Sequence, residues 1–142
     1  MIVDTILQTK GTAVHTLRDS DTLADAVALL NSHNIGAIVI IGTGESVAGI
    51  LSERDIVRQL GKNPATALAQ PIGSCMTKAV VTCDRTTAIA DVMERMTRRR
   101  IRHMPVVDGD RLAGIISIGD VVKLKIEEVE HEAEVLRDYI AS

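Results

Sequence analysis

The chain has 142 residues and a formal net charge of −3, a length that suits one compact domain or two small halves sharing a core. Apolar residues make up 46% of it, with one tyrosine and no phenylalanine or tryptophan, so the core is expected to be aliphatic, which argues against the aromatic stacking platforms of single-strand nucleic-acid binding. The longest apolar runs, such as "AIVII" (37–41), are strand-sized and too short to span a bilayer.

In chain order, "MIVDTILQTKG" (1–11) carries Asp4, has no long apolar stretch and does not read as a signal peptide. It is treated as a lead-in segment. A short strand, "AVHTL" (13–17), leads to a helix opened by Asp21-Thr22 as N-cap material, with the apolar stripe Leu23, Ala26, Val27, Leu30. The strands "IGAIVII" (35–41) and "VAGIL" (47–51) follow across a Gly-containing turn, and Ser52 caps a second helix. The stretch 61–78 holds two of the three prolines and reads as a connector. The order then repeats: strand "AVVTC" (79–83), a helix opened by Thr86-Thr87 with the stripe Ile89, Val92, Met93, Met96, a strand from Ile101, a strand "LAGII" (112–116), and a helix capped by Ser117. Cys75 and Cys83 are too few for a disulfide scaffold and are expected to be reduced thiols, so a soluble cytoplasmic protein is the expectation.

The repetition is explicit. Ala13, Val14, Thr16 and Asp25 recur 66 residues later as Ala79, Val80, Thr82 and Asp91, and "VAGILSERDIV" (47–57) matches "LAGIISIGDVV" (112–122) at an offset of 65. The chain therefore divides into a first unit with its lead-in (1–60), the connector (61–78), a second unit (79–125) and a C-terminal helical extension (126–142).

The most informative pair is "GILSERD" (49–55) and "GIISIGD" (114–120), both Gly–apolar–apolar–Ser–x–x–Asp. Each places a hydroxyl and a carboxylate at a helix N-terminus, where the carboxylate can accept from a vicinal diol and the helix end favours phosphate. A bare capping box explains each copy taken alone. Duplication at matching positions makes that less sufficient.

These elements, with "RHMPVVDGD" (102–110), resemble a pair of CBS domains over residues 12 to 125. The resemblance implies an α/β (α+β) fold of two β-α-β-β-α units packed by their sheets about a pseudo-two-fold axis, with an extended C-terminal helix. It implies clefts that bind an adenine nucleotide (AMP, ADP, ATP, S-adenosylmethionine or NAD(H)), a regulatory or energy-sensing role without catalysis, and a homodimer. Carried over by motif, Asp55 and Asp120 would hold ribose, and Ser52 and Ser117 ribose or phosphate. Ile35, Gly36 and Ala37 in the first unit, and Ile101, Arg102, His103 and Pro105 in the second, would line base and phosphates. Lys10 and His15 would join the Asp120 cleft, and Met76 and Val81 the Asp55 cleft. The first copy lacks the Arg, His and Pro of the second, so the Asp120 cleft is the expected phosphate site, with Arg54 able to serve the other.

The basic cluster Arg95, Arg98, Arg99, Arg100, Arg102 and His103 has three readings: a solvated helix end, a nucleic-acid footprint, or phosphate ligands. The acidic net charge and the absence of a nucleic-acid-binding motif argue against the second. The third is favoured for Arg102 and His103, with Arg100 as a further candidate. The four histidines are dispersed without metal-ligand spacing, and no nucleophile–base set or phosphate loop is present, so no metal, no catalytic cofactor and no catalysis are expected. Val122, Ile126, Val129, Ala133, Leu136 and Ile140 form a heptad-like seam, either lying on the helix's own domain or pairing with a second subunit. Against the nucleotide sensor stands a structural, protein-interaction dimer with vestigial clefts. The downstream protein partner is not named by any motif.

Overall fold

Each repeat builds its own aliphatic core. The computed structural model describes residues 1–142. The first repeat forms β1 (Thr16–Leu17), α2 (Leu23–His33), β2 (Ala37–Ile41), β3 (Val47–Ser52) and α3 (Glu53–Lys62), and the second forms α4 (Ile89–Arg99), β4 (His103–Asp108), β5 (Arg111–Ser117) and α5 (Ile118–Ala141), all preceded by α1 (Val3–Lys10). In the first sheet β1 runs parallel to β2, which pairs antiparallel with β3; the second sheet is the antiparallel pair β4–β5. The two hairpins shift register at corresponding places, Ile40/Ile41 and Val106/Val107, so the duplication extends to the bulge. No helix is long and apolar enough to cross a membrane.

Caps and stripes account for the helices. Thr22 and Asp25 form a reciprocal capping box at the start of α2, and the stripe Leu23, Ala26, Leu30 buries against Ile38, Ile40 and Leu51. In the second unit Ile89, Val92 and Met96 bury against Met104, Val106 and Ile116. This helix starts at Ile89, two residues after the expected Thr86-Thr87. Ala88 stands where the first copy has Thr22, and Asp84 Oδ1 accepts from both hydroxyls, Thr86 at 2.6 Å and Thr87 at 3.2 Å, holding them in a preceding turn.

A second departure from the sequence reading is "AVVTC", which forms no strand; Cys83 alone bridges Val106. The cause is Pro105. In the first unit Thr16 and Leu17 pair with Val39 and Ile40. Pro105 occupies the position of Val39 and has no N–H, so the bond that would extend the pairing to Thr82 cannot form.

The lead-in segment, expected to belong with the first unit, is helical and packs into the core of the second. Val3, Ile6 and Leu7 join Val92, Met104 and Ile116, while Ile72 of the connector joins the first core. The exchange is symmetric at the hydrogen-bond level: the N–H of Ile89 donates to Met1 and that of Leu23 to Gln70, both at 3.0 Å. It also explains the motif glycines. A Cβ on Gly114 would lie 2.9 Å from Leu7 Cδ2, and one on Gly49 2.5 Å from Met76 Sδ. Each glycine admits the segment that closes its unit.

The final helix does not lie on its own domain along its length. Val121 is buried and Leu124 packs against the second core, whereas Val122, Ile126, Val129, Leu136 and Ile140 are exposed.

Candidate ligand cleft between the units

Ser117 ends β5 in extended geometry and caps α5, its hydroxyl accepting from the N–H of Asp120 at 3.2 Å. In return Asp120 Oδ2 accepts the Ser117 N–H at 2.8 Å. The same oxygen accepts from Lys10 Nζ at 2.7 Å, and that ammonium also donates to the Ile115 carbonyl at 3.0 Å. The last residue of α1 is thus brought to the N-terminus of α5. Burial pushes the Asp120 carboxyl up, but the bond and charge of Lys10 and the bonds from Ser117 outweigh it, so it is held below the usual carboxylate value.

A cleft of about 360 Å³ opens beside this group, lined by Lys10, Ala13, Val14 and His15, by Asn34, Ile35, Gly36 and Ala37 of the first unit, and by His103, Ile115 and Ser117 of the second. That volume is in the range of small-molecule sites. Strand register explains the second unit's share: His103 pairs with Ser117 and Pro105 with Ile115, so these four face one side of the sheet. Gly36 lies close by; a Cβ there would sit 3.3 Å from both Glu53 Oε1 and His103 Cε1. His103 is half-buried, and burial first, then the neighbouring charge of Lys10, pulls its pKa below the usual histidine value. Glu53 and Asp120 oppose this with smaller raising effects, Arg102 adds a small lowering one, and the neutral imidazole is favoured. His15 stacks on His33 with ring centroids 3.7 Å apart.

The first-copy motif has the same cap and a different setting. Asp55 Oδ2 accepts from the Ser52 N–H at 2.9 Å and the Ser52 hydroxyl at 3.1 Å, while Oδ1 takes Thr77 Oγ1 at 3.4 Å with Arg58 at 3.7 Å. Its side chain is 7% exposed, against 24% for Asp120. Asp55 is saturated from within; Asp120 presents a partly open carboxylate.

The structure therefore brings together Lys10, His15, Ile35, Gly36, Ala37, His103 and Ser117, with Asp120 on Lys10. Other candidates lie elsewhere. Arg102 has an exposed side chain, does not line the cleft, and contributes its carbonyl to the N–H of Ile118 at 2.8 Å. Pro105 is buried below His103, and Ile101 and Val81 pack on the second core. Met76 packs on the first core over Gly49, and Arg54 is exposed on α3. Arg98 and Arg99 close the last turn of α4, Arg98 pairing with Glu94, and Arg100 is the left-handed cap at φ +54°. These follow the helix-end reading. Ala13, Val14, Asn34 and Ile115 line the cleft without having been assigned to it from the sequence; the alternation of β5, which puts Ile115 beside Ser117, was a usable signal for one of them. No cluster of His, Cys, Asp or Glu is arranged to hold a metal ion.

Comparison with known proteins agrees with this architecture. The CBS domain model matches twice, at residues 10–62 and 72–127. The chain is 36% identical over 124 residues to the mitochondrial CBS domain-containing protein CBSX3 of Arabidopsis thaliana, covering 84% of this chain and 60% of that protein's length. Among solved structures it is similar to the CBS-domain containing protein ATU1752 from Agrobacterium tumefaciens, with 41% identity, TM-score 0.84, and coverage of 88% of this chain and 99% of that one. It is also similar to the CBS domain pair of protein MJ0100, solved in complex with 5'-methylthioadenosine and S-adenosyl-L-methionine, at 26% identity and TM-score 0.80 over 90% and 98% of the two chains. With both repeats matched over more than half its length, this chain belongs to the CBS domain family.

Proposed function

We propose that this chain is a non-catalytic regulatory module that binds an adenine nucleotide in the Asp120 cleft and acts as a homodimer on a protein partner. One observation carries the reading: the cleft joins Lys10, Gly36, His103 and Ser117 from both units, and Lys10 and Ser117 both bond the partly open Asp120 carboxylate beside it. Asp120 is the acceptor for the ribose hydroxyls. Ile35, Ala37, Val14 and Ile115 give the base an apolar seat. Lys10 and His103 are the phosphate partners, a charge-assisted bond contributing about 1.5–3 kcal/mol. The adenosine compounds bound by MJ0100 support the ligand class.

The charges favour one phosphate over three. Lys10 is already paired with Asp120, His103 is neutral, and Glu53 adds a negative charge beside it. A monophosphate can recruit Lys10 and protonate His103; a triphosphate would leave most of its charge without partners. AMP is therefore the proposed ligand, ahead of ATP or NAD(H). Because both units line the cleft, occupancy can bias their relative orientation by as much as the ligand's affinities for the two arrangements differ.

A second reading has support of its own. Thr22 and Asp25 make the same reciprocal cap as Ser117 and Asp120, on a helix start with no place in the cleft. On this reading the Asp120 motif is a cap and the cleft is vestigial. Thermal unfolding with AMP, ADP, ATP, NADH and S-adenosylmethionine at millimolar concentration separates the two: a ligand at 100 times its Kd adds about 2.7 kcal/mol. A raised Tm with AMP supports the sensor; no shift with any of the five leaves the cap alone.

A further inference from the structure

Helix α5 carries an apolar stripe that nothing else in the chain covers. Val122, Ile126, Val129, Ala133, Leu136 and Ile140 recur at spacings of 4, 3, 4, 3 and 4. The five large members are between 46 and 74% exposed, although Val121 and Leu124 on another face are packed into the second unit. The helix thus has one face for its own domain and one for something else.

The flanking charges select the occupant. With Ile126, Ala133 and Ile140 at heptad position a and Val122, Val129 and Leu136 at d, position e holds Lys123, Glu130 and Arg137, and position g holds Lys125 and Glu132. In a parallel pair each g residue faces the e residue of the partner's next heptad. Lys125 then meets Glu130 and Glu132 meets Arg137, each twice by symmetry, with no like-charge pair among them. In an antiparallel pair centred on the seam, e faces e and g faces g. That sets Lys123 against Arg137, Glu130 against Glu130 and Glu132 against Glu132. Sliding the antiparallel pair by one heptad restores opposite charges but leaves Leu136 and Ile140 uncovered.

We propose that residues 122–140 of α5 pair with the same segment of a second copy as a parallel, in-register two-stranded coiled coil. This rests on the homodimer proposed above and specifies its contact. Two copies of the second unit are then held side by side at the N-terminal end of the coil, where Asp120 of α5 also bonds Lys10 of the cleft wall.

The test is sedimentation equilibrium of the full chain and its variants. Glu132→Arg and Arg137→Glu singly should each raise the dimer Kd about tenfold or more, and the double swap should return it close to the original value. Leu136→Asp should do at least as much. These side chains are exposed, so circular dichroism and Tm of the body should not move. In a Cys75→Ser background, Ala133→Cys should form an intermolecular disulfide, because position a meets itself only in the parallel pair. A monomeric wild-type chain overturns this inference and the homodimer together. A dimer indifferent to Leu136→Asp and to the charge swap keeps the homodimer and overturns the coil. A dimer that responds to them without cross-linking at position 133 overturns the parallel register.

Discussion

The Lys10 ammonium donates to the Asp120 carboxylate at 2.7 Å across 110 residues of sequence, tying the end of the first helix to the start of the last. The equivalent aspartate, Asp55, has no lysine and is closed in by Ser52 and Thr77. The duplicated motif thus has two settings, one partly open and one internal. Asp120→Ala and Lys10→Gln should each weaken AMP binding by about tenfold or more, the loss expected for one charge-assisted bond. Asp55→Ala should leave binding intact and lower stability by about 1–3 kcal/mol, because buried donors lose their acceptor. Titration calorimetry and urea unfolding on the same three variants measure both.

Binding should respond to pH through His103. Burial and the Lys10 charge favour its neutral form, so the ligand-free fold binds that proton less readily than the unfolded chain does. The ligand-free protein therefore loses stability as pH falls through the ordinary histidine value, about 6.5, toward the lower folded one. A bound phosphate reverses the sign by giving imidazolium a partner. Binding should take up a proton, and affinity should rise as pH falls from about 7.5 to 6. Asp120, held below the usual carboxylate value, stays charged throughout this window. Calorimetry in two buffers of different ionisation heat reads the proton uptake, and His103→Gln should remove it.

Helix α1 is a structural part of the second unit. Leu7 is buried against the position Gly114 leaves open. Leu7→Ala should cost about 2–5 kcal/mol. Gly114→Val should be at least as damaging, because even a Cβ there collides with Leu7. Equilibrium unfolding in urea checks both, with the largest losses of native signal expected in the second unit.

The two thiols should differ sharply in reactivity. Cys83 is buried among Ile89, Met104 and Val106, and burial pushes its pKa up to about 11. Cys75 is partly exposed. A thiol reagent at neutral pH should modify one cysteine per native chain, and two after denaturation. Mass mapping should place the first label on Cys75; labelling of Cys83 in the native state would contradict the packing described.

Sequence comparison of the two repeats was enough to reach both hairpins and the Ser-x-x-Asp caps, since these depend on local patterns that occur twice, whereas the expected cleft-wall residues came from the resemblance to CBS domains. What it missed depends on contacts between distant segments. Helix α1 has only Val3, Ile6 and Leu7 as an apolar stripe, and its partner surface is 80 to 120 residues away. The loss of a strand at "AVVTC" was visible only as a proline 22 residues later, at the position of Val39. Arg102 and His103 are adjacent in sequence, and alternation indicated that they would point apart. Which of them enters the cleft was decided by the pairing of His103 with Ser117.

The most direct test of the account is calorimetric titration of the intact protein with AMP, with ATP and S-adenosylmethionine run alongside. The account predicts saturable binding of one AMP per chain, tighter than ATP, lost in Asp120→Ala and retained in Asp55→Ala. Binding that survives Asp120→Ala, or no heat from any of the three at millimolar concentration, would contradict it.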